Sequence, residues 1–267
     1  MTVSTRTIDL HNDLTVSVAE YGENSDGTAV LVLHGGAGPR SVAGFAEAMS
    51  EHAYAIVPTH PGFDGRPRPD ATDSIADLAT AYLDLLDELN LRHVVVVGSS
   101  FGGWVAAEMG LRDNHDRISC LVLLGASGIK PEPPLEIADP VQLGPVRTGE
   151  LAFHNPQFRL NPATLSEEQR AVMAANQRTQ AIYGGEDVYY DPKLRGRLHR
   201  ITKPVLVLAG EQDGVVPPDY QRTLAGSFPR ATFRVIPEAA HFPHIEQPGA
   251  VFDALGEFVD NQVKAQA

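Results

Sequence analysis

The residues best placed to do chemistry lie where an apolar run breaks into glycines: Val94-Val95-Val96-Val97-Gly98-Ser99-Ser100-Phe101-Gly102-Gly103. Four consecutive valines favour a strand buried on both faces, and Trp104-Val105-Ala106-Ala107-Glu108-Met109 reads as the start of a helix. Ser100 is thus the centre of G-x-S-x-G between strand and helix. Such a serine needs a sharp turn, in which Gly98 and Gly102 keep side chains out of the way and a helix N-terminus lies beneath the hydroxyl. A serine hydroxyl is a weak nucleophile at neutral pH. It needs a base within hydrogen-bond reach, usually a histidine held in the right tautomer by a carboxylate. Both follow later apolar runs: Val205–Ala209 leads into Gly210-Glu211-Gln212-Asp213, and Arg234-Val235-Ile236-Pro237 precedes Ala239-Ala240-His241. Asp213 ends the turn that must face the histidine, with Glu211 as the competing acid.

Other chemistries fit less well. A strand, a glycine turn and a helix can hold a nucleotide, but neither G-x-G-x-x-G nor G-x-x-x-x-G-K-[ST] is present, and His34-Gly35-Gly36-Ala37-Gly38 fits neither pattern. His244 follows His241 by three residues without an H-E-x-x-H motif or a Cys/His cluster, so no metal is expected. No cofactor motif is present either. A formal net charge of −13 argues against nucleic acid or an anionic membrane as partner and leaves a small-molecule substrate. The sequence carries no mark of oligomeric state. The single cysteine, Cys120, excludes an internal disulfide framework and fits a reducing compartment; it opens the apolar run Cys120–Leu124, which makes it a packing residue. Met1–Arg6 lacks an apolar core of signal-peptide length, and no segment approaches membrane-spanning length. A cytoplasmic location is the resulting expectation.

These residues need a scaffold. At 267 residues the chain suits one large α/β domain with a small insertion. Residues 5–10 and 14–21 read as a hairpin around Asn12-Asp13, followed by strands at Ala29–Leu33, Tyr54–Pro58, the valine run, Ile118–Leu124, Pro204–Ala209 and Thr232–Ile236. Helices are predicted near Ser41–His52, Asp73–Leu89, Asp219–Ser227 and Pro248–Val263, the second from the helical spacing of Ile75, Leu78, Tyr82, Leu85 and Leu89. Alternating strands and helices imply a mainly parallel eight-stranded sheet flanked by helices, with sites beyond the carboxyl ends of the strands. His34-Gly35-Gly36, Ser100, Asp213 and His241 all fall there. Residues 129–198 break the rhythm, opening proline-rich and continuing with weak helical patterns and Phe153, Phe158, Tyr183, Tyr189 and Tyr190. The expected division is a core of 1–128 and 199–267 with a small, mainly helical cap over 129–198. Trp104 and Met109 read as core, whereas Phe63 and Phe101 stand equally as core or pocket residues.

Over essentially its whole length the chain resembles the α/β-hydrolase fold superfamily. The matching features are His34-Gly35-Gly36, the Gly98–Gly102 nucleophile elbow, Gly210-Glu211-Gln212-Asp213, and His241 with Glu246-x-Pro248 behind it, in the order Ser, Asp, His. Two positions depart from the common pattern: Thr59 stands where many members have aspartate, and Ala240 where glycine often precedes the histidine. The resemblance implies Ser100 as nucleophile, His241 as general base and acid, and Asp213 as orienting carboxylate. It also implies an oxyanion hole from the backbone N–H groups of Phe101 and Gly36. The expected activity is hydrolysis of a small or medium hydrophobic ester through an acyl-enzyme. A carbon–carbon bond hydrolase acting on a diketone, or a small-molecule binding protein that retains the triad, would share the same residues.

Overall fold

The computed structural model describes residues 3–24 and 28–266. Met1 and Thr2, part of the N-terminal stretch read for a leader, lie outside the described residues. In chain order the core begins with β1 (Val3–Asp9), β2 (Thr15–Tyr21), β3 (Ala29–Leu33), α1 (Arg40–Met49), β4 (Tyr54–Thr59), α2 (Ile75–Glu88), β5 (Val94–Ser99), α3 (Phe101–Arg112) and β6 (Ile118–Leu124). An interruption follows: β7 (Gly128–Ile129), α4 (Pro140–Ala152), α5 (Glu167–Gly184) and β8 (Tyr190–Asp191). The core resumes with β9 (Val205–Gly210), α6 (Pro218–Ala225), β10 (Ala231–Ile236), α7 (Pro243–Glu246) and α8 (Pro248–Gln266).

The sheet has eight strands in the order β1-β2-β4-β3-β5-β6-β9-β10. β1 pairs antiparallel with β2 and β2 with β4, while every pair from β4 onward is parallel. The hairpin turns at Asn12 and Asp13, whose φ angles of 60° and 58° suit residues whose short polar side chains tolerate the left-handed region. Inner strands are covered on both faces, which is why they read as unbroken apolar runs. Leu31, Leu33, Val94, Val96, Leu121 and Leu123 pack towards α2 and α3. Their alternating neighbours Val30, Val32, Val97, Val122, Leu206 and Leu208 pack towards α1 and α8. Trp104 and Met109 lie in the first of these layers, as expected.

Parallel strands bring their carboxyl ends to one edge of the sheet, so the turns after β3, β5, β6, β9 and β10 meet there although they are far apart in sequence. Local signals set the element ends. A capping box between Ser74 and Asp77 starts α2 at Ile75, two residues after the expected Asp73. Neither the two-residue parallel pair β7–β8 nor the single turn α7 was expected, both being too short to show a periodicity. No helix among the described residues is long and apolar enough to cross a membrane.

Candidate active site

The turn between β5 and α3 holds Ser100 at φ 53° and ψ −119°. A side chain at Gly98 would collide with the Gly102 carbonyl, and one at Gly102 with the carbonyls of Leu33 and His34, so only glycine permits the close approach of elbow, helix and β3. Backbone strain of this kind costs about 1–3 kcal/mol and persists when neighbours over-determine it. Here Ser100 donates its N–H to Leu124 O (2.9 Å), and its carbonyl accepts from Gly103 N (2.9 Å) and Ser127 N (3.2 Å). Phe101 is the first residue of α3. An N–H at that position has no acceptor within its own helix and sits at the positive end of the dipole.

Two loops bring the acid and base together. Asp213 Oδ2 accepts from His241 Nδ1 at 2.9 Å, while Oδ1 accepts from the N–H groups of Val215 (2.8 Å) and Val216 (2.9 Å). With Nδ1 donating, Nε2 is the basic nitrogen of the ring. Asp213 is 3% exposed and His241 4% exposed, so this pair is shielded from water. Glu211, the competing acid, is exposed and accepts from Gln212 Nε2 instead. Gly125 (φ +54°) makes room for the pair, since a Cβ there would lie 3.0–3.3 Å from His241 O, His241 Nδ1 and Asp213 Oδ2.

The acid and histidine loops also hang on the end of α4. Gly214 N donates to Leu151 O (3.1 Å) and His241 N to Ala152 O (3.0 Å). Buried Glu246 bridges the same regions, accepting from Ala240 N (2.7 Å) and from Asn155 N (2.8 Å). Sequence reasoning noted Glu246 as part of a pattern but not this tie. The signal was an acidic residue close behind the histidine with no charged neighbour in sequence.

The turn that follows β3 is pinned from behind. His60 N donates to His34 Nε2 (3.0 Å), so His34 Nδ1 carries the proton and donates to Gly35 O (2.7 Å). His60 Nε2 donates to His34 O (2.8 Å), which leaves His60 Nδ1 to accept from Tyr82 OH (2.5 Å). Burial pushes His34 down to about 4 and His60 well below its usual range, helped by the neighbouring His34, so both rings are neutral at pH 7. Phe63 and Phe101 pack edge-on against this cluster and are fully buried. Of the two readings open for them, the structure selects core.

Ser100, His241 and Gly36 line one cavity of about 520 Å³, within the roughly 300–1,000 Å³ common for small-molecule sites. Asp213 stands behind His241, out of the cavity. The facing wall comes from the interrupting segment, with Phe153, Phe158, Leu160 and Met173 among its apolar members. His244 takes no part: burial lowers it to about 4, and it donates from Nε2 to Ser41 O (3.0 Å). Among the described residues there is no cluster of three or more side chains suited to a metal ion.

Known proteins share this arrangement of strands. A poly(3-hydroxyalkanoate) depolymerase of Ectopseudomonas oleovorans is 28% identical over 96% of this chain and 93% of its own length. A pimeloyl-[acyl-carrier protein] methyl ester esterase of Vibrio cholerae is also 28% identical, over 80% of this chain and 86% of its own. Among solved structures, an esterase of Thermogutta terrifontis superposes with a TM-score of 0.73 at 23% identity, covering 97% of this chain and 98% of that one. The sequence profile of the Alpha/beta hydrolase family matches residues 30–254. Matched over most of its length, and carrying the strand order and the glycine elbow described above, the chain belongs to the alpha/beta hydrolase family of enzymes.

Proposed function

We propose that the protein is a serine hydrolase acting on esters of small or medium size with a largely apolar acyl or alcohol part. Ser100 Oγ attacks the carbonyl carbon while His241 Nε2 takes its proton, and Asp213 holds the imidazolium that forms. The Phe101 and Gly36 amides donate to the oxyanion, an arrangement that contributes about 3–4 kcal/mol per donor elsewhere. His241 then protonates the departing alkoxide, and water, deprotonated by the same nitrogen, releases the acid and restores Ser100. Residues 129–198 serve as the cap that shields this step from bulk water.

The observation that carries the reading is the 2.9 Å Asp213–His241 hydrogen bond at the wall of the cavity that also holds Ser100. The apolar facing wall supports a hydrophobic ester, and the two relatives above are named for ester-cleaving activity in one case and depolymerisation in the other. Intact mass after treatment with a fluorophosphonate tests it. Rapid single addition is expected in the wild type and not in Ser100→Ala or His241→Ala. No addition to folded wild type would overturn the proposal, whereas labelling with turnover of vinylogous diketo acids and little ester cleavage would move the chemistry to carbon–carbon bonds.

A further inference from the structure

The long helix α5 has few buried apolar residues; Asn176, Thr179 and Tyr183 are its buried side chains, and it is held on the core by their polar atoms. Asn176 makes a reciprocal pair with Asp64, accepting from Asp64 N (2.8 Å) and donating to Asp64 Oδ1 (2.9 Å). Thr179 Oγ1 donates to Gly62 O (3.0 Å) and Tyr183 OH to Pro61 O (2.9 Å). These three anchors, at i, i+3 and i+7, lock both the rotation and the register of the helix. Gln180, one residue past Thr179, is thereby aimed at the turn after β3.

Its amide arrives at Gly36. A Cβ on Gly36 would collide with Gln180 Oε1, and Gln180 supplies all three atoms nearest to that position, with Nε2 the furthest of them at 3.7 Å. Gln180 lines the same cavity as Ser100 and His241, and its carboxamide makes no hydrogen bond to any described residue. Asn176, four residues before it, is occupied by Asp64, and Gln177 lines the cavity as well, but it is Gln180 that reaches Gly36. Gln180 is half-buried, and a carboxamide without a protein partner beside an N–H assigned to the oxyanion is placed to meet a polar ligand atom.

We propose that Gln180 is a specificity-determining residue which hydrogen-bonds a neutral polar substituent, such as a hydroxyl, carried within two bonds of the scissile carbonyl, so that hydroxyacyl esters are preferred over plain alkanoates. The inference rests on the serine-hydrolase reading and names the substrate class for it. An uncharged amide that both donates and accepts matches a hydroxyl, which does the same, whereas a carboxylate is better met by a cation. A site built to hydrogen-bond such a group rejects the analogue lacking it, because its own polar atoms are then left unpaired in a mostly apolar cavity.

The test is kcat/KM for methyl 3-hydroxybutyrate and methyl butyrate, measured on the wild type, Gln180→Leu and Gln180→Met, with fluorophosphonate labelling of Ser100 on each. The wild type should favour the hydroxylated ester, and both variants should reduce the ratio of the two constants by about 10- to 100-fold, whatever loss the two esters share. A wild-type ratio near one, or a ratio unchanged by both substitutions in labelled protein, overturns the proposal and leaves the hydrolase reading standing. An unlabelled wild type brings down that reading and this proposal together. Two variants of different shape guard against one that fails to fold.

Discussion

The two walls of the cavity are built on opposite principles. On the sheet edge, Ser100, Gly36 and His241 sit on turns fixed by backbone hydrogen bonds, glycine contacts and the buried His34–His60–Tyr82 cluster. On the facing side, α4 and α5 expose apolar residues such as Val141, Val146 and Met173 to solvent, and a Gly144-Pro145 break interrupts α4. That side is joined to the core by fewer buried apolar residues, Ala152 and Tyr183 on these two helices, together with hydrogen bonds from Asn176, Thr179 and Tyr183. Reaction geometry tolerates errors of a fraction of an ångström, which only close-packed turns can guarantee. Substrate choice asks less, and a lightly anchored helical segment can vary without disturbing the sheet. On the proposed mechanism, rigidity lies where atoms react.

If this division holds, substitutions on the sheet edge should far outweigh those on the facing wall. Ser100→Ala should lower kcat by roughly 10⁴–10⁶-fold and abolish the acyl-enzyme in single-turnover mass spectra. Asp213→Asn should lower kcat by about 10⁴-fold with the fold intact by circular dichroism. Glu211→Gln should stay within about twofold, and the reverse ranking would show that the exposed carboxylate is the acid after all.

A smaller effect probes the seam between the regions. Glu246→Gln retains the shape of the side chain but presents an NH₂ to one of two backbone donors, Ala240 N or Asn155 N. Loss of one buried charge-assisted bond should reduce kcat by about tenfold while KM moves little. A change confined to KM would mean that Glu246 serves the helical segment alone.

The gentlest test uses acid. His34 and His244 have their values pushed down to about 4 by burial, against about 6.5 in an unfolded chain. Between those values the unfolded chain binds protons that the folded chain excludes. Stability should therefore be full above pH 6.5 and fall as pH drops towards 4, by about 1.4 kcal/mol per pH unit for each histidine. Urea denaturation at pH 7.5, 5.5 and 4.5 measures the slope, and His244→Asn should remove one histidine's share of it. An unchanged slope in that variant would place the acid sensitivity elsewhere.

Much of this was legible before any coordinates. Valine runs, glycine turns and the serine, aspartate and histidine that follow strands are local patterns, and the inner strands follow from apolar runs too long for loops and too short for helices. Helix ends moved by up to three residues, and at α2 the cap at Ser74 outranks periodicity. The Phe63 and Phe101 alternatives could not be resolved from sequence, since an aromatic at a strand end serves core or cavity equally well until its neighbours are known. The same holds for α5, whose polar composition gives a weak helical signal because its anchors are hydrogen bonds rather than a greasy stripe.

The sequence alone therefore determined the sheet, the elbow and the candidates for the reacting side chains, because strand propensity, turn chemistry and motif order act over a few residues. Only the tertiary structure paired Asp213, rather than Glu211, with His241, through a 2.9 Å bond that leaves Glu211 exposed to solvent. It alone revealed Glu246 joining residues 155 and 240, and Gln180 touching Gly36. Such contacts span more than a hundred residues of chain in the second case, and no local preference encodes them; they arise when parallel strands gather distant turns at one edge and a helix is laid across it.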